Sequence, residues 1–438
     1  MRVFDLTIPA FIISTFMLTG CIDNEITPPA DVPVAPRLLR AVAVGDTAVL
    51  LAWEDVSPNE DGVQIYESVH PDSEFVLVET IYEQNADSAF LGGKDGDTPY
   101  RYKVQAFNLL GGSAFSVEAR LLDPEQVDYF DSHSGSENLC LTVSPDGRYA
   151  AIGKRTYNPD AMTTLECWNI ATGQLKFNHS GSSSISSVAF SADGRFLAAG
   201  ENSPAFISIW DIEAGALIDS IDFQGNDGLV DIAFNPIDGY LAAATYNISI
   251  STDQPTPGEI TVYSSSNWGV LRNIEEAHPN RISALAFSPD GTMMASASWE
   301  ARIRLWSGSG SVAINSLSII EGRIDDLCFS RDNTLLASAS RDSLVRLWDV
   351  ADGALQGFLK EGKRDVNAVA FSPDGFFLVS LASPLNPKFW DYRRMTQVLE
   401  LQELPEFTQA DFLAFTPDGE KLLIADNQGI YVLRTCRE

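Results

Sequence analysis

The sequence predicts an all-β protein in two parts, a seven-bladed β-propeller preceded by a β-sandwich. Three observations carry this expectation. The segment from Ala284 to Trp306, ALAFSPDGTMMASASWEARIRLW, is one of seven copies of a single unit. The turn acids of those copies, Asp146, Asp193, Asp238, Asp290, Asp332, Asp374 and Asp418, are separated by 47, 45, 52, 42, 42 and 44 residues. Upstream, from Pro36 to about Pro124, short runs alternate apolar and polar residues at intervals of about ten residues, the pattern of a sandwich.

Each copy reads as β structure. An apolar run ends in Phe, a Ser-Pro-Asp-Gly type turn follows, a second apolar run leads to a polar break, and a third run ends at Trp. A weaker fourth run, such as Ala354 to Leu359, precedes the next copy. Four short strands per period of roughly 40 to 45 residues is the signature of a propeller blade. Trp168, Trp210, Trp306, Trp348 and Trp390 close the third strands, and Tyr263 and Tyr431 stand in for Trp in the other two copies.

Trp210-Asp211, Trp348-Asp349 and Trp390-Asp391 are the residues on which the region from about Gln126 to Arg434 resembles the WD-repeat family. In that family a His before the first strand, a Ser or Thr in the second, an Asp in the following turn and the Trp form a hydrogen-bonded set. Here His278 alone occupies the His position, its turn acid is Glu300, and the copy with Asp342 has no such His. The resemblance therefore implies that the family's packing is kept better than its polar network.

The ends of the array imply how it closes. The last copy stops after its third strand near Leu433, while VDYFDSHSG (Val127 to Gly135) matches LKFNHSG (Leu175 to Gly181), a fourth strand. The N-terminal strand is expected to complete the seventh blade, leaving few exposed edges.

The upstream segment, 36–124, resembles a fibronectin type III module. The matching residues are Trp53 on the second strand, Tyr100, Tyr102, Val104 and Ala106 alternating inward on a late strand, and Asn108, Gly112, Ser113 and Ser116 after it. An Arg-Gly-Asp adhesion signal is absent from it.

Residues 1–20 read as a signal peptide. Leu6 to Leu18 is mostly apolar, too short for a membrane span, and runs into Leu18-Thr19-Gly20-Cys21. That tetrad resembles the bacterial lipobox, which implies lipidation of Cys21 and a lipid-anchored protein of the cell envelope. Ile22 after the Cys, in place of Asp, implies transfer to the outer membrane. Residues 21–35 are polar and Pro-rich and are expected to form an extended tether.

The chain carries a net charge of −31, with 19 acids against 6 bases from Cys21 to Glu125 and 40 against 22 beyond. Both parts repel nucleic acid and anionic surfaces, so neither is expected as a partner. Cys167 and Cys328 fall where other copies place Ile, Leu or Ala and are expected to be buried thiols, and a disulfide between Cys140 and Cys436 is open. The four His are His70, His133, His179 and His278. The last three precede first strands and are expected to be solvent-facing loop residues rather than metal ligands. No nucleophile elbow, phosphate-cradling glycine loop, Cys-x-x-Cys or haem attachment pair is present. The expectation is a non-catalytic protein without metal or cofactor.

The family resemblance implies that loops before the first strand and between second and third strands share one face, the top. Residues expected to line a partner site there are Arg155, Tyr157, Asn202, Tyr246, Asn247, Trp299 and Arg341. Two copies carry insertions in this loop, Lys154 to Thr164 and Tyr246 to Gly258, and insertions on one face usually mark the binding side of a repeat protein. The function expected is that of a membrane-tethered protein-binding scaffold. The alternatives are a structural subunit of an envelope assembly, or a propeller enzyme or glycan binder.

Overall fold

The computed structural model describes residues 33–434 apart from 45–47, 56, 70–73, 85, 94–99, 117–118, 121–126, 132–135, 157–162, 181–182, 203–204, 224–226, 248–256, 319–321, 376, 383–385, 401–410 and 427–428. Cys21, Tyr157, His133, Cys436, most of both insertions and the whole of the first 32 residues therefore lie outside the described residues.

The first part is a sandwich. Arg37–Val44, Ala48–Glu54 and Ser88–Gly92 form one antiparallel sheet; Val76–Ile81, Gly62–Ser68, Arg101–Asn108 and Gly111–Gly112 form the other, with Ala119–Arg120 also on Arg101–Asn108. Period-two patterning places Leu51 and Trp53 of one sheet against Ile65, Tyr102 and Val104 of the other, all fully buried. The small polar residues after the late strand are hydrogen-bonding devices. The Ser113 and Ser116 hydroxyls accept from the Ala106 and Val104 amides at 3.1 and 3.0 Å.

The second part is built, among the described residues, of seven four-stranded antiparallel sheets. In six of them the strands run in chain order from inside to outside, as in Ile282–Phe287, Met293–Ser298, Arg302–Ser307 and Ala313–Ser318. The seventh takes three strands from the C-terminal end, Phe412–Phe415, Lys421–Ala425 and Gly429–Arg434, and its fourth from upstream, Val127–Asp131. That pairing runs residue against residue from Gly429 with Asp131 to Leu433 with Val127. First strands of consecutive sheets lie side by side, and Phe412–Phe415 lies against Ser136–Val143, so the circuit returns on itself.

The repeated sequence signals have local causes. In six of the turns a Ser or Thr hydroxyl donates to the acid two residues on, as from Ser144 to Asp146 and from Ser288 to Asp290, both at 2.6 Å. The same hydroxyl accepts the amide that opens the second strand, 2.9 Å from Tyr149 in the first sheet. In the third sheet Asn235 stands in place of the hydroxyl, and its side-chain carbonyl accepts the Ile237 and Asp238 amides within the turn at 2.9 Å. A turn Gly follows with positive φ, as at Gly147 and Gly291, because a Cβ is disfavoured there.

The third-strand aromatics are buried between neighbouring sheets; Trp348, for instance, packs with Ala295, Leu305 and Leu327. A buried indole N–H needs an acceptor. Ser296, Ser338 and Ser380 on second strands accept from Trp306, Trp348 and Trp390, whereas Ser208 and Glu166 on third strands accept from Trp210 and Trp168.

Several expectations are corrected here. His278 is no loop residue: it ends the strand Val270–His278 and is fully buried. His179 lies within the outer strand Gln174–Ser180, its ring 5.0 Å from that of Trp210. Lys154, read as the start of an insertion, is a buried strand residue in Tyr149–Thr156, paired with buried Glu166 at 2.5 Å. Cys167 is fully buried, but Cys328 is only half-buried.

Acids also stitch the sheets together near the ring's inner wall. Asp231 accepts from the Ser187 hydroxyl at 2.6 Å and from the Leu285 amide at 2.7 Å, joining three consecutive sheets. Asp326 accepts the Val369 amide of the next sheet at 2.9 Å. Burial pushes the Asp231 carboxyl up to about 6 and that of Asp326 up to about 7, and does the same to Glu201 (about 7) and Asp411 (about 6). Raised carboxyls bind protons more readily folded than unfolded, so the stability they withhold at high pH returns as pH falls through 6 to 7. Buried His278, lowered to about 4, works oppositely, removing stability as pH falls below its ordinary value. The turn acids Asp146, Asp193, Asp290 and Asp332 are partly desolvated, but their Ser and backbone hydrogen bonds hold them below the usual range. Their contribution is lost only in stronger acid. The four raised carboxyls outnumber the two imidazoles that burial lowers, His278 and His179, so the melting temperature is expected to be higher at about pH 5.5 than at about pH 8 and to fall again below about pH 4. A melting temperature that climbs steadily toward alkaline pH would contradict this assignment.

Candidate binding face

In an antiparallel sheet the turn between first and second strands and the turn between second and third lie at opposite ends. The Ser-Pro-Asp-Gly turns therefore mark one face of the ring and the loops carrying Arg155, Trp299 and Arg341 the other. Two adjacent repeats build this second face the same way. The Trp299 amide donates to the Arg281 carbonyl at 3.0 Å, and the Arg341 amide to the Arg323 carbonyl at 2.9 Å. Each loop residue is thereby clamped over the residue that precedes its own first strand.

The side chains then form a continuous row. The Arg281 guanidinium lies 4.3 Å from the Tyr246 ring centroid and 5.0 Å from that of Trp299. Arg323 covers Trp299 at 4.4 Å. Beyond it Asp325 is shared, 2.5 Å from Nε of Arg323 and 2.7 Å from Nε of Arg341. Trp299 is 41% exposed, so the row is open to solvent although its members hold one another in place. Burial, together with the Arg341 and Arg281 guanidiniums, lowers the Arg323 pKa from its ordinary value, while the hydrogen bond to Asp325 raises that of Arg341.

Tyr246, Trp299 and Arg341 are thus brought together. Arg155 sits apart on the same face, exposed and 3.3 Å from Glu137. Asn202 and Asn247 end the second strands of their sheets. Sequence reasoning missed Arg281, Arg323 and Asp325. A signal was available, since NRIS and GRID place Arg identically before the first strands of two adjacent repeats.

The other polar constellation is sealed. His278 Nε2 lies 2.8 Å from Ser296 Oγ and Nδ1 lies 3.0 Å from Glu300 Oε1. This has the order of an acid–base–nucleophile relay. Ser296, however, is fully buried and accepts from Trp306 Nε1 at 2.9 Å, so no substrate reaches its oxygen. The set ties strands together. Glu300 completes the set here, at the position where the resemblance led to Asp. The next two sheets carry ion pairs of their own, Arg346 with Asp342 at 2.6 Å and Lys388 with Glu361 at 3.2 Å.

The WD domain, G-beta repeat family matches residues 173–211, 269–307 and 314–349. The chain is 61% identical over 33 residues to a guanine nucleotide-binding protein subunit beta of Schizosaccharomyces pombe, covering 8% of this chain and 11% of that one. It is 31% identical over 118 residues to WD repeat and SOCS box-containing protein 1 of Takifugu rubripes, covering 27% of this chain and 25% of that one. The chain thus spans a quarter or less of the length of these relatives. The matched repeats each end on a third strand closed by Trp210, Trp306 or Trp348, the residues that anchor the sheets of the circuit. Three matches to the WD repeat, set in a circuit of four-stranded antiparallel sheets, support a WD-repeat β-propeller for the region after the sandwich.

Proposed function

We propose that this protein is a non-catalytic protein-binding scaffold whose seven-bladed propeller receives its partner on the face carrying Trp299. The observation that carries the reading is the row from Tyr246 to Arg341, because an exposed Trp flanked by Arg and Tyr side chains that hold one another in place is the composition of an interface hot spot. One of the relatives is by name a subunit of a larger protein, which fits the same class of role.

In this reading residues 1–20 are a signal peptide, 21–35 a tether, 36–124 a fibronectin type III-like module and 126–435 the propeller, anchored in the bacterial envelope through a lipid on Cys21. What supports the orientation is the contact between the two parts. Arg394 pairs with Asp87 of the sandwich at 2.8 Å, and it sits in the same turn as Tyr392, whose hydroxyl donates to the carbonyl of Gly375 in a Ser-Pro-Asp-Gly turn. That contact lies at the end of the ring opposite Trp299, which supports a binding face clear of the sandwich.

The test is to crosslink the protein in its source membranes, identify the partner and measure its affinity for variants. Trp299→Ala and Arg341→Ala are each expected to cost on the order of 2 kcal/mol of binding, whereas Asp374→Ala at the opposite face leaves affinity unchanged. Partner affinity that ignores both face variants sinks the scaffold reading. In the same cells Cys21→Ser is expected to move the protein from the membrane pellet to the soluble fraction, and continued membrane retention would rule out the lipid anchor.

A further inference from the structure

The charges on this face point to the chemistry of the partner, an inference that rests on the face being the partner site. Arg281, Arg323 and Arg341 stand in one row, and a single carboxylate, Asp325, serves two of them. Arg281 packs its guanidinium between the Tyr246 and Trp299 rings, and its buried Nε has no hydrogen-bond partner among the described residues. The row therefore carries an excess of two positive charges in a chain whose net charge is −31. Stacking on aromatic rings fixes the guanidinium plane, so little side-chain entropy remains to be lost when it forks onto a planar anion.

We propose that this row seats an acidic segment of a partner protein, with Asp or Glu carboxylates taken by Arg281 and Arg341 and an apolar side chain laid on Trp299. The surrounding charge selects scattered carboxylates over a polyanion. Asp365 and Asp411 act on Arg341, so the positive island has acidic ground on its far side. A nucleic acid or densely phosphorylated chain would meet that ground and the field of the whole molecule, while a carboxylate brings one charge to one arginine.

The experiment is selection from a random peptide display library on the intact protein, followed by affinity measurement with the selected peptides made synthetically. Asp and Glu are expected to be enriched around an aromatic or branched apolar residue. Replacing those acids by Asn or Gln is expected to weaken binding on the order of tenfold, as are Arg281→Gln and Arg341→Gln in the protein, with melting temperatures confirming that both variants fold. Binding should also weaken as salt is raised from about 50 to about 500 mM. Selected peptides that are neutral or basic yet lose affinity on Trp299→Ala would overturn the acidic partner and leave the binding face standing. Peptides indifferent to every substitution on this face, or no selected binder at all, would overturn both. A phosphoserine placed at the selected acids that binds more than about tenfold tighter would assign the row to phosphate instead and overturn the carboxylate choice.

Discussion

A chain that begins at Ser136 is expected to unfold far more easily than one that begins at Glu125. The shorter chain loses Val127–Asp131, which pairs residue against residue with Gly429–Leu433. It also loses Phe130, which is buried and stacked on Trp168 of the neighbouring sheet with ring centroids 5.9 Å apart. One buried aromatic at roughly 2 to 3 kcal/mol and several ladder hydrogen bonds at about 1 kcal/mol each put the loss at about 5 kcal/mol or more. Gly429–Arg434 would become an open edge, so aggregation on heating is expected as well. Removing the sandwich instead takes away the largely exposed pair of Arg394 with Asp87, worth less than about 1 kcal/mol. Denaturant midpoints of the two truncated chains decide the matter. Equal midpoints would mean that the upstream strand does not hold the circuit closed.

Lys154→Met is expected to be the most damaging conservative replacement inside a single sheet. Lys154 and Glu166 are both fully buried and 2.5 Å apart, and Glu166 also accepts from Trp168 Nε1 at 3.1 Å. A buried pair adds little net stability over an apolar pair of the same shape, but removing one partner strands a charge and typically costs about 3 to 5 kcal/mol. The double replacement Lys154→Met with Glu166→Gln removes that charge and keeps a carbonyl for the Trp168 indole, so it should regain most of the loss. Urea unfolding of the two variants beside the parent chain checks this. A double variant no more stable than the single would show that the penalty comes from packing and not from the stranded carboxylate.

How legible this molecule is from its sequence depends on the range of the interaction read. The first-to-second strand turns are legible because Ser, Asp and Gly within five residues complete their own hydrogen bonds. The third-strand Trp and Tyr positions are legible because burial repeats with the period of a strand. Even Val127–Asp131 could be matched to its role, since it carries the pattern of a fourth strand and the last copy lacks one. His278, His179 and Lys154 were misplaced because their surroundings come from other strands. His278 is decided by Ser296 and Glu300 of the following sheet, His179 by Trp210 of its neighbour, and Lys154 by Glu166 across a hairpin.

The sequence by itself determined the all-β class, the repeated unit, the residues that anchor it and the strand expected to complete the circuit. These rest on local turn chemistry and on alternation along one strand. Only the tertiary structure decided which loops meet. Tyr246, Arg281, Trp299, Arg323 and Arg341 lie on three successive repeats and form a row because the first strands of those repeats pack side by side. No periodicity along the chain encodes a cation stacked on a ring that belongs to the next sheet.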